Sequence, residues 1–290
     1  MFISDFYKQK KPVVSFEVFP PKKDADIENI YSRLATMTAL NPDFISVTYG
    51  AGGSAQSAKT TRDIACTIKQ SGTEALAHLT CVGADRDSIR AFCADLKSAD
   101  IHNIMALRGD LPEGMTSAST AFRYASDLIA EIKAQGDFCI GAACYPETHI
   151  ECDDSYRDLV HLRRKQEAGA DFLITQLFFD NDVFYRFLEQ AHKVGVTLPV
   201  SAGVMPILFR GQIERAVFNN GVSLPTAIIR LLHKYENDPV SLRRAGMEHA
   251  VNQMEQLIRG GADGVHIYVM NRPTVAKMAM ERCLSLGLRY

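Results

Sequence analysis

Glu17 stands inside an apolar run, Val13–Phe19 (VVSFEVF), and its placement is the one in this 290-residue chain that most demands a chemical reason. A carboxylate buried among apolar groups is costly unless a basic partner compensates it. The same setting raises a carboxyl pKa toward the range that a general acid needs near neutral pH. Phe16, Val18 and Phe19 flank Glu17 and would provide that setting. Other polar groups fall at the ends of similar runs. Thr48-Tyr49-Gly50-Ala51-Gly52-Gly53 closes Phe44–Tyr49, and His78 and Thr80 lie in Ala75–Cys81. Arg108-Gly109-Asp110 follows Asn103–Leu107, and Tyr145-Pro146-Glu147-Thr148-His149 closes Phe138–Tyr145. Gln176 interrupts Phe172–Phe178, and Tyr268 leads to Asn271-Arg272 after Val265–Met270. An amide such as Gln176 both donates and accepts, which suits a heterocyclic amide or a carboxamide. Each feature also has a plain structural reading. His78 alone reads as a hydrogen-bonded core histidine, Arg108-Gly109-Asp110 as a turn, and Glu17 as half of an internal ion pair. Arg163-Arg164-Lys165 reads as a solvated helix face, or as a neutraliser of pyrophosphate.

The elements that must carry these residues are eight short apolar runs, the seven above and Pro199–Met205 among them, each of strand length and rich in β-branched or aromatic residues. Most are apolar on both faces, as strands of a helix-covered parallel sheet should be. Helical patterning lies between them over 27–40, 57–70, 88–99, 125–133, 156–168 and 183–194. Gly72, Gly136, Gly169, Gly195 and Gly261 precede the next runs as helix stops. The interval between the seventh and eighth runs is the longest and predicts extra helices over 211–219, 225–234 and 240–258. Alternating βα units, eight strands and no GxGxxG after the first predict an α/β fold of one domain, a single (β/α)8 TIM barrel with extra helices between strands 7 and 8. In such a barrel the strand C-terminal ends carry the chemistry, and here seven of the eight deliver polar side chains to that rim.

Composition narrows the function classes. With 32 basic and 34 acidic residues the net charge is −2, so no polybasic field invites nucleic acid or an anionic membrane. No apolar run reaches the roughly 20 residues needed to span a bilayer, and residues 1–11 lack a signal-peptide core. Seven cysteines scattered without a CxxC pair point to structural thiols in a reducing cytoplasm, with no disulfide framework and no metal site. Gly50-Ala51-Gly52-Gly53 lacks the lysine and hydroxyl residue of a P-loop.

Taken in order, SFEVFPPK (15–22), DFISVTYGAG (43–52), HLTC (78–81), ALRGDLP (106–112), YPETH (145–149), ITQLFFD (174–180) and Asn271-Arg272 resemble the bacterial 5,10-methylenetetrahydrofolate reductases. The motifs span nearly the whole chain. The resemblance implies FAD-dependent reduction of 5,10-methylenetetrahydrofolate to 5-methyltetrahydrofolate by a ping-pong mechanism, with NADH or NADPH as co-substrate, feeding methionine synthesis. It implies Glu17 as catalytic acid and Asp110 as the group beside both pterin and flavin. By the same resemblance, Thr48, Tyr49, Ala51, His78, Arg108, Gly109, Ala125, Tyr145, His149, Asp158, His161, Arg164 and Lys165 hold the cofactor. Thr48, Asp110, Gln176, Gln212, Tyr268 and Arg272 face folate or nicotinamide, with Arg272 suited to the folate glutamate carboxylate. Two positions depart from one well-known bacterial branch: its substrate-stacking phenylalanine falls at Ala216, with Phe218 two residues on, and a flavin-contacting asparagine falls at His161. A homo-oligomer is a family expectation, and some family members work with an iron–sulfur partner subunit. Two other readings stay open: a flavin-free pterin-binding barrel that methylates a corrinoid protein, and a partner-dependent reductase subunit.

Overall fold

Eight parallel strands close on themselves in chain order: β1 (Val13–Val18), β2 (Phe44–Val47), β3 (Glu74–Thr80), β4 (Asn103–Leu107), β5 (Cys139–Cys144), β6 (Phe172–Thr175), β7 (Val200–Val204) and β8 (Gly264–Tyr268). The structure, a computed structural model, describes residues 1–9, 11–21, 27–50, 55–111 and 121–288. Helices α1 (Ile27–Thr38), α2 (Ala55–Gln70), α3 (Arg86–Ser98), α4 (Ala125–Ala134), α5 (Ser155–Glu167) and α6 (Asn181–Lys193) alternate with the first seven strands. The long last interval holds α7 (Arg210–Asn220), α8 (Thr226–Lys234) and α9 (Pro239–Arg259), as the sequence predicts. A final helix, α10 (Pro273–Ser285), was not read from the sequence; it completes the eighth βα unit and starts on a proline, whose missing N–H costs nothing in a first turn.

The strand period of two divides the residues between two cores. Val14, Phe16 and Val18 of β1 point outward into the layer shared with the helices. Val13, Phe44, Leu76, Met105, Cys139, Phe172 and Ile174 point inward and fill the lower half of the barrel. A 3₁₀ turn, Ile3–Lys8, plugs the bottom by burying Ile3 and Phe6 in this inner cluster. Each such side chain contributes roughly 1.5–3 kcal/mol when buried. The plug is also hydrogen-bonded, with Ile3 N–H donating to Asn103 Oδ1 at 2.8 Å and Tyr7 Oη 2.8 Å from Ser201 Oγ.

Chain punctuation follows local chemistry. Gly72 and Gly136 adopt φ of 87° and 116° after α2 and α4. After α1 and α3 the same left-handed turn falls to Asn41 (φ 62°) and Asp100 (φ 56°), short polar residues that tolerate it. Asp43, Asp171 and Asp263, each at the foot of a strand, accept the backbone N–H of Val14, Ile140 and Val200 on neighbouring strands, at 2.8, 2.7 and 2.9 Å. Those carboxylates fix the register that carries inward positions up to the opposite rim. No helix among the described residues is long and apolar enough to cross a membrane.

Candidate active site

Continuing the inward alternation past the packed lower layer gives the site. The next inward positions are Ser15 and Glu17 on β1, Ser46 and Thr48 after it, His78 and Thr80, Ala143 and Tyr145, Gln176, Gly203, and His266 and Tyr268. Strand register sets Glu17 beside Ser46 on β2 and Tyr268 on β8, with Ser15 beside His266. A cavity of about 690 Å³ opens above them, lined among others by Glu17, Thr48, Tyr49, His78, Asp110 and Gln176.

Glu17 does not have the apolar setting that its sequence neighbours suggest. Phe16 and Val18 face away, into the outer core, and Glu17 faces two imidazoles. His78 Nε2 and His266 Nε2 each stand 3.6 Å from Glu17 Oε2. His266 is wholly buried, its Nδ1 is 2.7 Å from Ser15 Oγ and its Nε2 3.3 Å from Ser46 Oγ. Burial alone pushes the Glu17 carboxyl up, but contact with His266 and the nearness of His78 outweigh it and hold the pKa below the usual value. The expected upward shift is therefore reversed in the ligand-free protein. Burial drives the His78 imidazole down to about 4, against the opposing pull of the nearby Glu17 carboxylate. Its Nε2 is buried with no hydrogen-bond partner among the described residues.

The other rim residues divide into two groups. Gln176 lines the central cavity, and its amide N–H donates to Asn220 Oδ1 at 3.0 Å. Tyr268 lines it too, donating its hydroxyl to Thr175 O at 2.8 Å, and burial raises its pKa. Arg108 and Gly109 complete the same wall. A second cavity, of about 580 Å³, meets this one along Leu107, Arg108, Leu111, Ala143, Tyr145 and His149. It brings together Ala125, Asp158, His161, Arg164 and Lys165, the outer half of the predicted cofactor set. Arg163 turns outward to Glu167 at 2.9 Å, so the basic triplet is split between a solvated face and the cavity.

Local structure holds this outer wall. Thr148 takes φ 72°, an unusual value for a β-branched residue, and the turn brings His149 back edge-on to Tyr145 with ring centroids 4.6 Å apart. His149 N–H donates to Asp158 Oδ2 at 3.2 Å. Lys165 Nζ donates to Ala143 O at 2.8 Å and lies over the Tyr145 ring, and burial lowers its pKa. Tyr124 stacks on His161 at 6.1 Å. The ligating atoms of Cys152, Asp158 and His161 all lie within 4.8 Å of one another, so this trio could hold a metal ion, a grouping that cysteine spacing did not reveal.

Among the described residues, two predicted ones, Gln212 and Arg272, line neither cavity. Gln212 is 4% exposed and spends its amide on Pro206 O and Leu208 N, at 3.0 and 2.9 Å. Arg272 is exposed at the start of α10. Ala51 lies outside the described residues. On α7, Ala216 packs into an apolar cluster and Phe218, 79% exposed, lies on the opposite side of the helix, so neither lines the central cavity. Sequence reasoning missed His266, Asn220 and Ser15; only the inward phase of β1 and β8 could have exposed two of them.

The family described as methylenetetrahydrofolate reductase matches residues 3–283. A 5,10-methylenetetrahydrofolate reductase of Pectobacterium carotovorum is 35% identical over 277 residues, covering 95% of this chain and 90% of its own. That of Escherichia coli K12 is 34% identical, covering 95% and 91%. Among solved structures, a Clostridium thermocellum protein described as binding two copies of 5-methyltetrahydrofolic acid superposes with a TM-score of 0.64 at 14% identity, covering 97% of both chains, a likeness of fold.

Proposed function

The chain belongs to the methylenetetrahydrofolate reductase family, and from that premise we propose that it reduces 5,10-methylenetetrahydrofolate to 5-methyltetrahydrofolate in a ping-pong reaction, with FAD as cofactor and NADH or NADPH as hydride donor. The observation that carries the cofactor reading is the pair of joined cavities. One is rich in basic side chains, the other is lined by the Glu17 carboxyl, and both share Arg108, Tyr145 and His149. Arg108, Arg164 and Lys165 would hold the diphosphate of a dinucleotide flavin, and His78 would lend its ring part a buried polar Nε2. When bound, the flavin supplies the hydride chemistry, taking a hydride from nicotinamide and giving it to folate.

The residues of this chain supply position and protons. Folate enters by the central cavity, where Gln176 offers an amide to the pterin edge and Asp110 a carboxylate. Asn220 holds the Gln176 amide in place through its Oδ1. Opening the five-membered ring of the substrate needs a proton at N10, and Glu17 is the carboxyl in the floor placed to provide it. In the open cavity Glu17 keeps 19% of its side chain exposed and stays ionised. Filling the cavity removes that water, so burial, which already pushes the pKa up, gains over the contact with His266. Ser15 and His266 beneath it orient the carboxyl and offer the route by which a proton reaches it.

Replacement Glu17→Gln separates the two half-reactions. Nicotinamide oxidation needs no proton from Glu17 and should proceed at close to the wild-type rate, whereas folate reduction should fall by about 100-fold or more. Rapid-mixing measurement of each half-reaction checks this. Equal impairment of both would remove Glu17 from the role of acid.

A further inference from the structure

The junction between the two cavities is closed by an ion pair with no part in the chemistry above. Arg108 Nη1 and Nη2 lie 2.5 and 2.7 Å from the two oxygens of Glu151, a bidentate fork, while Arg108 Nε donates to its neighbour Gly109 O at 3.1 Å. Three of the five guanidinium N–H donors are thereby engaged, and the end-on fork is filled. Arg108 is mostly buried, with 21% of its side chain exposed, and it lines both cavities. Glu151 is half exposed, lines only the outer cavity, and sits on the loop between β5 and α5. The pair is asymmetric: the cation is fixed in the wall, and the anion is the partner free to leave. Hydrogen bonding to Arg108 holds the Glu151 carboxyl below its usual pKa, so the group is anionic at neutral pH. Arg123, Arg157, Arg164 and Lys165 line the same cavity and make it a site for a polyanion.

Resting on the cofactor reading above, we propose that Glu151 is a built-in competitor for the cofactor: it occupies Arg108 in the ligand-free protein and is displaced by the diphosphate of the incoming dinucleotide flavin. The planar fork of arginine accepts a carboxylate and a phosphate in the same bidentate way, so one replaces the other without rebuilding the wall. Glu151 then sets how tightly the flavin is held, and it keeps the cation from being left bare when the cofactor is absent.

The test is FAD binding to the full chain stripped of flavin, followed by quenching of flavin fluorescence, which does not depend on turnover. Glu151→Gln keeps the shape and removes the charge, and should bind FAD about three- to tenfold more tightly than wild type, the scale of a partly exposed charged pair. Glu151→Asp, charged but one methylene shorter, should fall between the two. Riboflavin, which carries no phosphate, should bind wild type and Glu151→Gln equally. FAD affinity unchanged or weakened in Glu151→Gln overturns the proposal, and a weakened affinity would make Glu151 a holder of Arg108 instead. If wild type and variants alike take up no FAD, the cofactor reading fails with it; if wild type binds FAD and the variants match it, only the role of Glu151 fails.

Discussion

Glu17 and His78 meet across the barrel, and at the scale of single residues their titration is set by who faces whom. A buried imidazole with a pKa near 4 has a consequence for the whole protein's stability. In the unfolded chain His78 titrates near 6.5, so between pH 6.5 and about 4 the unfolded state binds a proton that the folded state refuses. The stability that follows is fully present above pH 6.5 and is lost as pH falls through that window. Glu17, held below the usual carboxylate range, acts in the same direction at its lower end. His149, His161 and His249, whose pKa values burial also lowers, add to the slope. Wild-type Tm should therefore drop between pH 7 and pH 5, and His78→Asn should flatten part of that drop. Identical pH slopes for the two proteins would show that His78 titrates normally.

The elements explain why the sequence revealed the position of the site more readily than its electrostatics. All eight strands and the helices between them were legible, because each strand is a short apolar run and each helix has a polar face. The polar strand ends pointed to the rim. The setting of Glu17 was not legible, since Phe16 and Val18 are its neighbours in the chain and not in space. Its real neighbours come from β3 and β8, elements distant in sequence. The same holds for Asn220 against Gln176 and for Glu151 against Arg108. Glycine at 203 is another element-level requirement hidden from the sequence: β7 passes so close to β6 and β8 that a Cβ there would press on Thr175 O and meet the Tyr268 ring at 2.9 Å. Gly203 N–H also donates to Thr175 Oγ1 at 2.8 Å. Gly203→Ala should cost about 1–3 kcal/mol and tilt Tyr268 from the cavity wall. Thermal unfolding should show a lower Tm, and a Tm equal to wild type would mean that the strands have room to part.

At the scale of the whole molecule, the closed barrel divides its labour between two ends. The lower end is packed with Phe44, Phe172 and the Ile3–Lys8 plug and has stability as its business. The upper end leaves its interior unfilled, so that polar side chains from seven strands surround a cavity that continues sideways over α5. The flavin reading uses that sideways extension and its basic lining, which the methyltransferase reading leaves unexplained. The absorbance spectrum of the purified protein under anaerobic conditions tests this most directly. The account predicts flavin bands that bleach on adding NADH or NADPH and return on adding 5,10-methylenetetrahydrofolate. A colourless protein that takes up no added FAD, or a reduced flavin that the folate leaves reduced, would contradict it.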